Sequence, residues 1–205
     1  PPETDLQKCF DLNCKIQPFS LSKGFVEKQF HYDQSFDSYT DNTNYTGYFQ
    51  TEKYFYHCKE KLINSLRFRE ENKKVIPFCE SKDLVSIHIR RGDYVGNKHH
   101  PLISMDYINQ AKSKFEGKKF LIFSDDIEWC KTNKLGDYYS ENTSHYTDLY
   151  WMTMCESSII SNSSFSWWGA YLSNKSKIVA PKNWFSGNNT RNSTKDLYCK
   201  DWIII

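Results

Sequence analysis

Leu84-Val85-Ser86-Ile87-His88-Ile89-Arg90-Arg91-Gly92-Asp93-Tyr94 joins a short run rich in β-branched residues to two adjacent arginines, a glycine and an aspartate. The run from Leu84 to Ile89 has the length and composition of a buried strand. Alternate side chains of a strand share a face, so His88 and Arg90 point to the same side, while Arg91 begins the turn that Gly92 permits.

Three further runs of this kind follow, at Phe120–Phe123, Ser158–Ile160 and Ile178–Ala180, with a weaker candidate at Tyr138-Tyr139. Helices are predicted from Ser104 to about Phe115, from Asp125 to Thr132, from Thr147 to Cys155 and from Phe165 to Leu172. This alternation implies an α/β fold, a Rossmann-like parallel sheet with helices on both faces. In such sheets ligands bind beyond the carboxyl ends of the strands. Three polar clusters follow strands here and are therefore expected to converge on one site: Arg90-Arg91-Gly92-Asp93, Ser124-Asp125-Asp126 and Ser161-Asn162-Ser163-Ser164.

Upstream the pattern is weaker. Residues 1 to 50 are polar with scattered aromatics and turn formers such as Asp41-Asn42-Thr43-Asn44, so loops and short elements are expected there. Tyr54, Cys58, Leu62 and Leu66 recur at helical spacing behind Thr51, which predicts a capped helix to about Phe68 that packs by this stripe. A polar linker at Glu70 to Lys74 then divides the chain into a small, mainly irregular and helical region, 1–74, and a Rossmann-like domain, 75–205.

Composition narrows the classes of function. A net charge of +2 over 205 residues provides no basic field, which argues against a nucleic-acid partner. Seven scattered cysteines form neither a C-x-x-C pair nor a zinc spacing, so neither a disulfide framework nor a metal is indicated. Six Asn-x-Ser/Thr sequons, at Asn44, Asn142, Asn162, Asn174, Asn188 and Asn192, would suit a lumenal protein. No apolar run approaches the roughly 18 to 20 residues that span a bilayer. The first residues, Pro1-Pro2-Glu3-Thr4-Asp5, are no signal peptide, and a soluble chain with a cut or processed start is expected. Aromatic residues make up 17% of the chain, a share that suits sugar- or base-binding surfaces as well as core.

The clusters themselves suggest anion chemistry. Five arginines stand among 27 basic residues, and two of the five are adjacent in one turn, where paired guanidinium donors suit a diphosphate. A loop-fixing Arg–Asp pair is the competing reading. Ser161 to Ser166 precede Trp167-Trp168-Gly169-Ala170, which places hydroxyls and backbone N–H groups at a helix start, an anion site by geometry and dipole. Simple capping is the alternative there. The Trp pair reads as core or interface, and Gly169 and Ala170 would let the helix approach the sheet. One of Asp125 and Asp126 is expected to cap the following helix. The P-loop, G-x-G-x-x-G, H-E-x-x-H and G-x-S-x-G patterns are absent.

Four segments together resemble the inverting α-1,2-fucosyltransferases, glycosyltransferase family 11, in their bacterial or viral style. They are Gly47 to Phe55, His88 to Tyr94, Phe123 to Asp126 and Ser161 to Ala170, and the resemblance runs from about residue 45 to 185. It implies the donor-binding half of a GT-B-type glycosyltransferase that moves L-fucose from GDP-fucose to a hydroxyl, galactose O2, of a galactose-containing glycan, with inversion and without metal or other cofactor. Arg90 would hold the β-phosphate, His88 would lie near the guanosine, and Ser163, Ser164 and Phe165 would bound the diphosphate. With Arg91, Asp125, Asp126 and Ser166 as further donor-binding residues and Arg90 and Asp93 as catalytic ones, this is the expected site. For the proton acceptor, Asp93, Glu52, Asp126 and His99 are the candidates, since Val95-Gly96-Asn97-Lys98 offers no carboxylate where relatives carry one.

The family's opening G-G-L-G-N-Q-M-F-Q type of segment has no counterpart here. A fragment, or a partner-dependent GDP-sugar-binding domain without a complete acceptor site, is therefore the alternative to an active transferase. The style of the resemblance suggests the cytoplasm, with a Golgi lumen, peripheral membrane contact and a homo-oligomer left open.

Overall fold

The computed structural model describes residues 4–12, 23–39, 42–78, 83–141, 144–173, 175–187 and 193–205. In chain order the regular elements are α1 (Asp5–Cys9), β1 (Lys23–Val26), β2 (Thr43–Thr46), α2 (Lys59–Ser65), β3 (Leu84–Ile89), α3 (Met105–Lys112), β4 (Lys119–Ser124), α4 (Ile127–Thr132), β5 (Tyr138–Tyr139), α5 (His145–Met154), β6 (Ser157–Ile159), α6 (Ser164–Tyr171), β7 (Lys177–Ala180) and β8 (Ile203–Ile204). Two compact units result. One takes Pro1–Phe10, Phe68–Ser186 and Asp201–Ile205, the other Asp11–Arg67 and Gly187–Lys200. Residues 68–74 thus go with the sheet, and 187–200 with the second unit.

In the first unit six strands pair in the order β5-β4-β3-β6-β7-β8, and every pairing is parallel. The predicted strands all form, and β8 adds a sixth that the sequence reading lacked; its two residues pair with Val179 and Ala180. Strand parity sorts the core into two layers. Val85, Ile87 and Ile89 of β3 join Ile122, Ile108, Ala111 and Cys130, on the side of α3 and α4. Leu84 joins Leu121, Phe123, Trp151 and Met152, on the side of α5, with Phe165 packed against them. Both faces of β3 are therefore buried, as a central parallel strand requires. Inside the sheet Ser86 Oγ lies 2.6 Å from Ser158 Oγ across the β3–β6 register.

Trp167 is fully buried and stacks on Tyr171 at 4.8 Å, so the Trp pair begins a packed face and is no ligand platform on that side. Gly169 serves a different approach from the one expected. A Cβ there would stand 3.0 Å from Met152 Sδ and 3.1 Å from Met152 Cβ, so the glycine lets α6 close on α5. Among the described residues no helix is long and apolar enough to cross a membrane.

In the second unit the parallel pair β1–β2 packs around an aromatic cluster in which Phe25, Phe36, Tyr45, Phe49 and Tyr54 meet edge to face or tilted. This cluster accounts for the failure of the predicted helix from Thr51 to Phe68. Thr51 does cap, accepting from Lys53 N–H. Tyr54, however, turns inward at 4.9 Å from Phe36 and accepts the Asp33 N–H at 2.9 Å. The chain responds with two 3-10 turns, Glu52–Tyr54 and Tyr56–Cys58, before the seven-residue α2, which buries no side chain. Specific aromatic packing overrides the weaker helical period.

Candidate functional site

The carboxyl ends of β3, β4 and β6 open on a cleft of about 580 Å³ within the first unit. His88, the penultimate residue of β3, sits in its wall. Its Nδ1 lies 2.8 Å from Ser161 Oγ, the residue that follows β6 by two positions. Burial holds the imidazole well below its ordinary pKa, at about 4, against the opposing pull of Asp125. The ring is therefore neutral near pH 7, with one nitrogen donating and the other accepting.

Two positions on, Arg90 faces the same cleft. Its Nε and Nη2 donate to Asp93 Oδ1 at 2.8 and 2.7 Å, and its Nη1 lies 3.0 Å from Asp125 Oδ2. Asp125 Oδ1 also accepts the Arg91 N–H at 2.8 Å, which ties the end of β4 to the end of β3. Gly92 makes this possible, because a Cβ there would stand 2.5 Å from Asp125 Oδ2.

Opposite lies the start of α6. Ser163 is its N-cap and makes no side-chain cap bond, and Ser163, Ser164 and Phe165 all line the cleft. The first N–H groups of a helix have no intrahelical acceptor and carry the positive end of its dipole, so this wall favours an anion. The rest of the serine run is internal. Ser161 is bonded to His88, and Ser166 Oγ donates to Ser163 O at 3.1 Å. Asn162 Nδ2 donates to Pro101 O and Trp184 O. At 1% exposure Asn162 is no acceptor for a glycan in the folded chain; of the other sequons, only Asn44 lies among the described residues.

Seven expected residues thus converge: His88, Arg90, Asp93, Asp125, Ser163, Ser164 and Phe165. Arg91, Asp126 and Ser166 do not line the cleft. Arg91 shares the strand parity of Ile87 and Ile89, so its side chain passes to the α4 side. There its guanidinium carbon lies 3.8 Å from the centre of the Trp129 ring and its Nε donates to Asp126 Oδ2 at 3.0 Å. Asp126 is the expected helix cap, accepting the Trp129 N–H at 3.3 Å. Of the two remaining candidates for proton acceptor, His99 is not among the cleft residues, and Glu52 belongs to the second unit.

The sequence reading also missed residues. These are His145 and Asp148, from the first turns of α5, which line the cleft; Ser124 lines it too, as its cluster was expected to, and so do Tyr94 and Phe123, to which the sequence reading gives no role. Asp148 accepts a hydrogen bond from Ser140 Oγ, and the His145 ring centre lies 6.3 Å from that of Phe165. The signal was available: β5 is the fourth strand whose carboxyl end opens on this edge, and α5 follows it.

Comparison with known proteins agrees with the early resemblance. The chain is 37% identical over 159 residues to the O-antigen biosynthesis glycosyltransferase WbnK of Escherichia coli, which covers 70% of this chain and 52% of that protein. It is 34% identical over 191 residues to an alpha-1,2-colitosyltransferase of Escherichia coli, covering 83% of this chain and 66% of the relative. A galactoside alpha-(1,2)-fucosyltransferase 1 of Alouatta belzebul is 26% identical over 148 residues, covering 58% of this chain and 40% of that protein. Against the crystal structure of POFUT1 in complex with GDP-fucose the TM-score is 0.45, with 14% identity over 83% of this chain and 56% of that one. The chain therefore spans between about half and two thirds of the length of the two bacterial relatives. A family model described as glycosyl transferase family 11 matches residues 6–205, nearly the whole length, and the chain belongs to that family.

Proposed function

We propose that this chain binds GDP-fucose in the cleft at the ends of β3, β4 and β6 and transfers the fucosyl group, with inversion, to a galactose hydroxyl of a glycan acceptor. The single observation that carries this reading is the juxtaposition, in one cleft, of the Arg90 guanidinium and the first turn of α6. Fucosyl transfer leaves negative charge on the departing diphosphate, and preorganised donors aimed at that charge are the largest catalytic contribution available to a site of this kind. Arg90 provides a planar, permanently charged fork, and the N–H groups at Ser164 and Phe165 provide the opposing wall. The cleft volume of about 580 Å³ is ample for a nucleotide sugar.

The nucleobase end of the reading rests on Asp148 and the rings around it. The Asp148 carboxylate, which accepts from Ser140 Oγ and lines the cleft, matches the two adjacent N–H donors of guanine, and His145 and Phe165 supply aromatic edges beside it. His88, neutral and fixed by Ser161, completes that wall. The names of the relatives favour sugars transferred in α-1,2 linkage. Leaving-group charge is assigned here to protein groups, so activity is expected to persist after chelation of divalent metals. A reducing compartment fits the thiols of Cys9, Cys58 and Cys130, which are free.

The test is release of GDP from GDP-fucose over a panel of galactoside acceptors, with Arg90→Ala as the control. Turnover in the native chain with at least a hundredfold loss in the variant supports the proposal. Undiminished turnover in the variant overturns the role of Arg90. GDP binding without transfer to any acceptor would favour the binding-domain alternative.

A further inference from the structure

The carboxylates around Arg90 are unequal, and that inequality has a mechanistic consequence. Asp125 is held twice, by Arg90 Nη1 and by the Arg91 N–H. Asp93 is held by Arg90 alone: among the described residues every hydrogen bond and ion pair of its carboxylate comes from Arg90 Nε and Nη2. Its side chain is 64% exposed, against 26% for Asp125. The guanidinium edge that faces the cleft is thus occupied by the Asp93 carboxylate.

An incoming diphosphate needs the same N–H groups. Guanidinium geometry allows one edge to grip one anion at a time, so phosphate and Asp93 compete for Nε and Nη2. When phosphate wins, Asp125 keeps its backbone partner and stays in place, whereas Asp93 loses its only one. We infer that Asp93 is an internal substitute for the donor phosphate, displaced by donor binding and thereby freed to accept the proton of the acceptor hydroxyl. This rests on the functional reading above and adds to it an order of events.

The step balances within one turnover. The acceptor oxygen forms a bond to fucose C1 as the bond from C1 to the β-phosphate oxygen breaks. The bonding pair leaves with GDP, held by Arg90 and the start of α6, and the hydroxyl proton passes to the Asp93 carboxylate. The exchange makes the base available only when the leaving group is clamped, which guards against acceptor activation in a site without donor.

The distinguishing measurement is GDP affinity in Asp93→Asn, by calorimetry, with GMP as the probe lacking a β-phosphate. Removing the competing charge is expected to tighten GDP binding about three- to tenfold while GMP binding stays unchanged, since only the β-phosphate meets the Arg90 fork. Transfer by the same variant is expected to fall at least a hundredfold. A purely structural Asp93 would weaken GDP binding or leave it alone, and either result overturns the displacement. Full transfer in Asp93→Asn overturns its role as proton acceptor. Should native chain bind GDP but transfer nothing, the functional reading fails, while the GDP-to-GMP comparison still decides the displacement. Thermal melting of Asp93→Asn and of Asp93→Ala checks that both variants are folded, and the Ala variant is expected to tighten GDP binding in the same direction.

Discussion

Arg90 and Arg91 are neighbours of one residue type, yet the sheet gives them opposite surroundings. Arg90 emerges on the α5 and α6 side, lining the cleft. Arg91 emerges on the α4 side, where its guanidinium carbon lies 3.8 Å from the centre of the Trp129 ring and its side chain is 17% exposed. The difference teaches that strand parity persists into the first residues of a turn and there separates binding from scaffolding. If the separation is real, the two arginines must fail in different ways when removed.

The largest effect is expected at Arg90. Arg90→Ala should lower the rate of transfer by about 10²–10³, equivalent to about 3–4 kcal/mol of lost transition-state stabilisation. Its melting temperature should scarcely move, because both members of the Arg90–Asp93 pair are substantially exposed, at 37% and 64%. Steady-state kinetics beside thermal denaturation reads both. A variant that melted early and bound GDP normally would break the comparison at its cleft side.

Next comes the wall that Arg90 shares. His88 is buried and neutral, with a pKa held down to about 4 by burial, while an unfolded histidine protonates near 6.5. Between those values the unfolded chain binds more protons, so stability falls as pH drops from about 6.5 to about 4, by about 3 kcal/mol at the limit. Denaturant unfolding across this range should show that slope, and His88→Gln should flatten it. An unchanged slope in the variant would mean that other groups govern the loss.

Arg91 belongs to the opposite face. Arg91→Ala should cost about 1–2 kcal/mol of folding stability, through the lost cation–π contact with Trp129 and the lost bond to Asp126, the cap of α4. GDP affinity should change less than about threefold, and Arg91→Lys should restore charge without the planar guanidinium and so recover little stability. A large loss of GDP affinity with normal melting would move Arg91 into the cleft and erase the distinction between the two residues.

How much of this was legible follows the same division. β3, β4, β6 and β7 were readable because a covered parallel strand is largely apolar and β-branched over consecutive residues, and the rule that ligands bind at carboxyl ends then selected Arg90, Asp93, Asp125, Ser163 and Ser164 together, while His88 and Phe165 came from the family resemblance. Arg91 was misplaced because residue type was weighed without carrying parity one step past Ile89. His145 and Asp148 went unnoticed because Tyr138-Tyr139, although a strand candidate, is followed by no compact polar cluster of the kind that marked the other strand ends, and so its carboxyl end was not searched. The helix expected at Thr51–Phe68 failed for a different reason. Tyr54 is placed by the aromatic rings of Phe36 and Phe49, contacts remote in sequence that a local period does not encode.

The serine loop repeats the comparison at smaller scale. Ser164 faces the cleft, whereas Ser166, two residues on, is 1% exposed and donates to Ser163 O. A helix turns by about 100° per residue, so two steps carry a side chain nearly to the far side. Ser166→Ala removes the donor and leaves the carbonyl of the N-cap, Ser163, less well satisfied, at a cost of about 1 kcal/mol in stability. That carbonyl also accepts the Trp167 N–H at 3.0 Å, so the helix start retains one bond and keeps its shape. GDP affinity should therefore hold within about twofold in Ser166→Ala, measured by calorimetry beside denaturant unfolding. A loss of GDP binding greater than the loss of stability would show that the cleft reaches behind Ser164, and that the first turn of α6 binds with both of its sides.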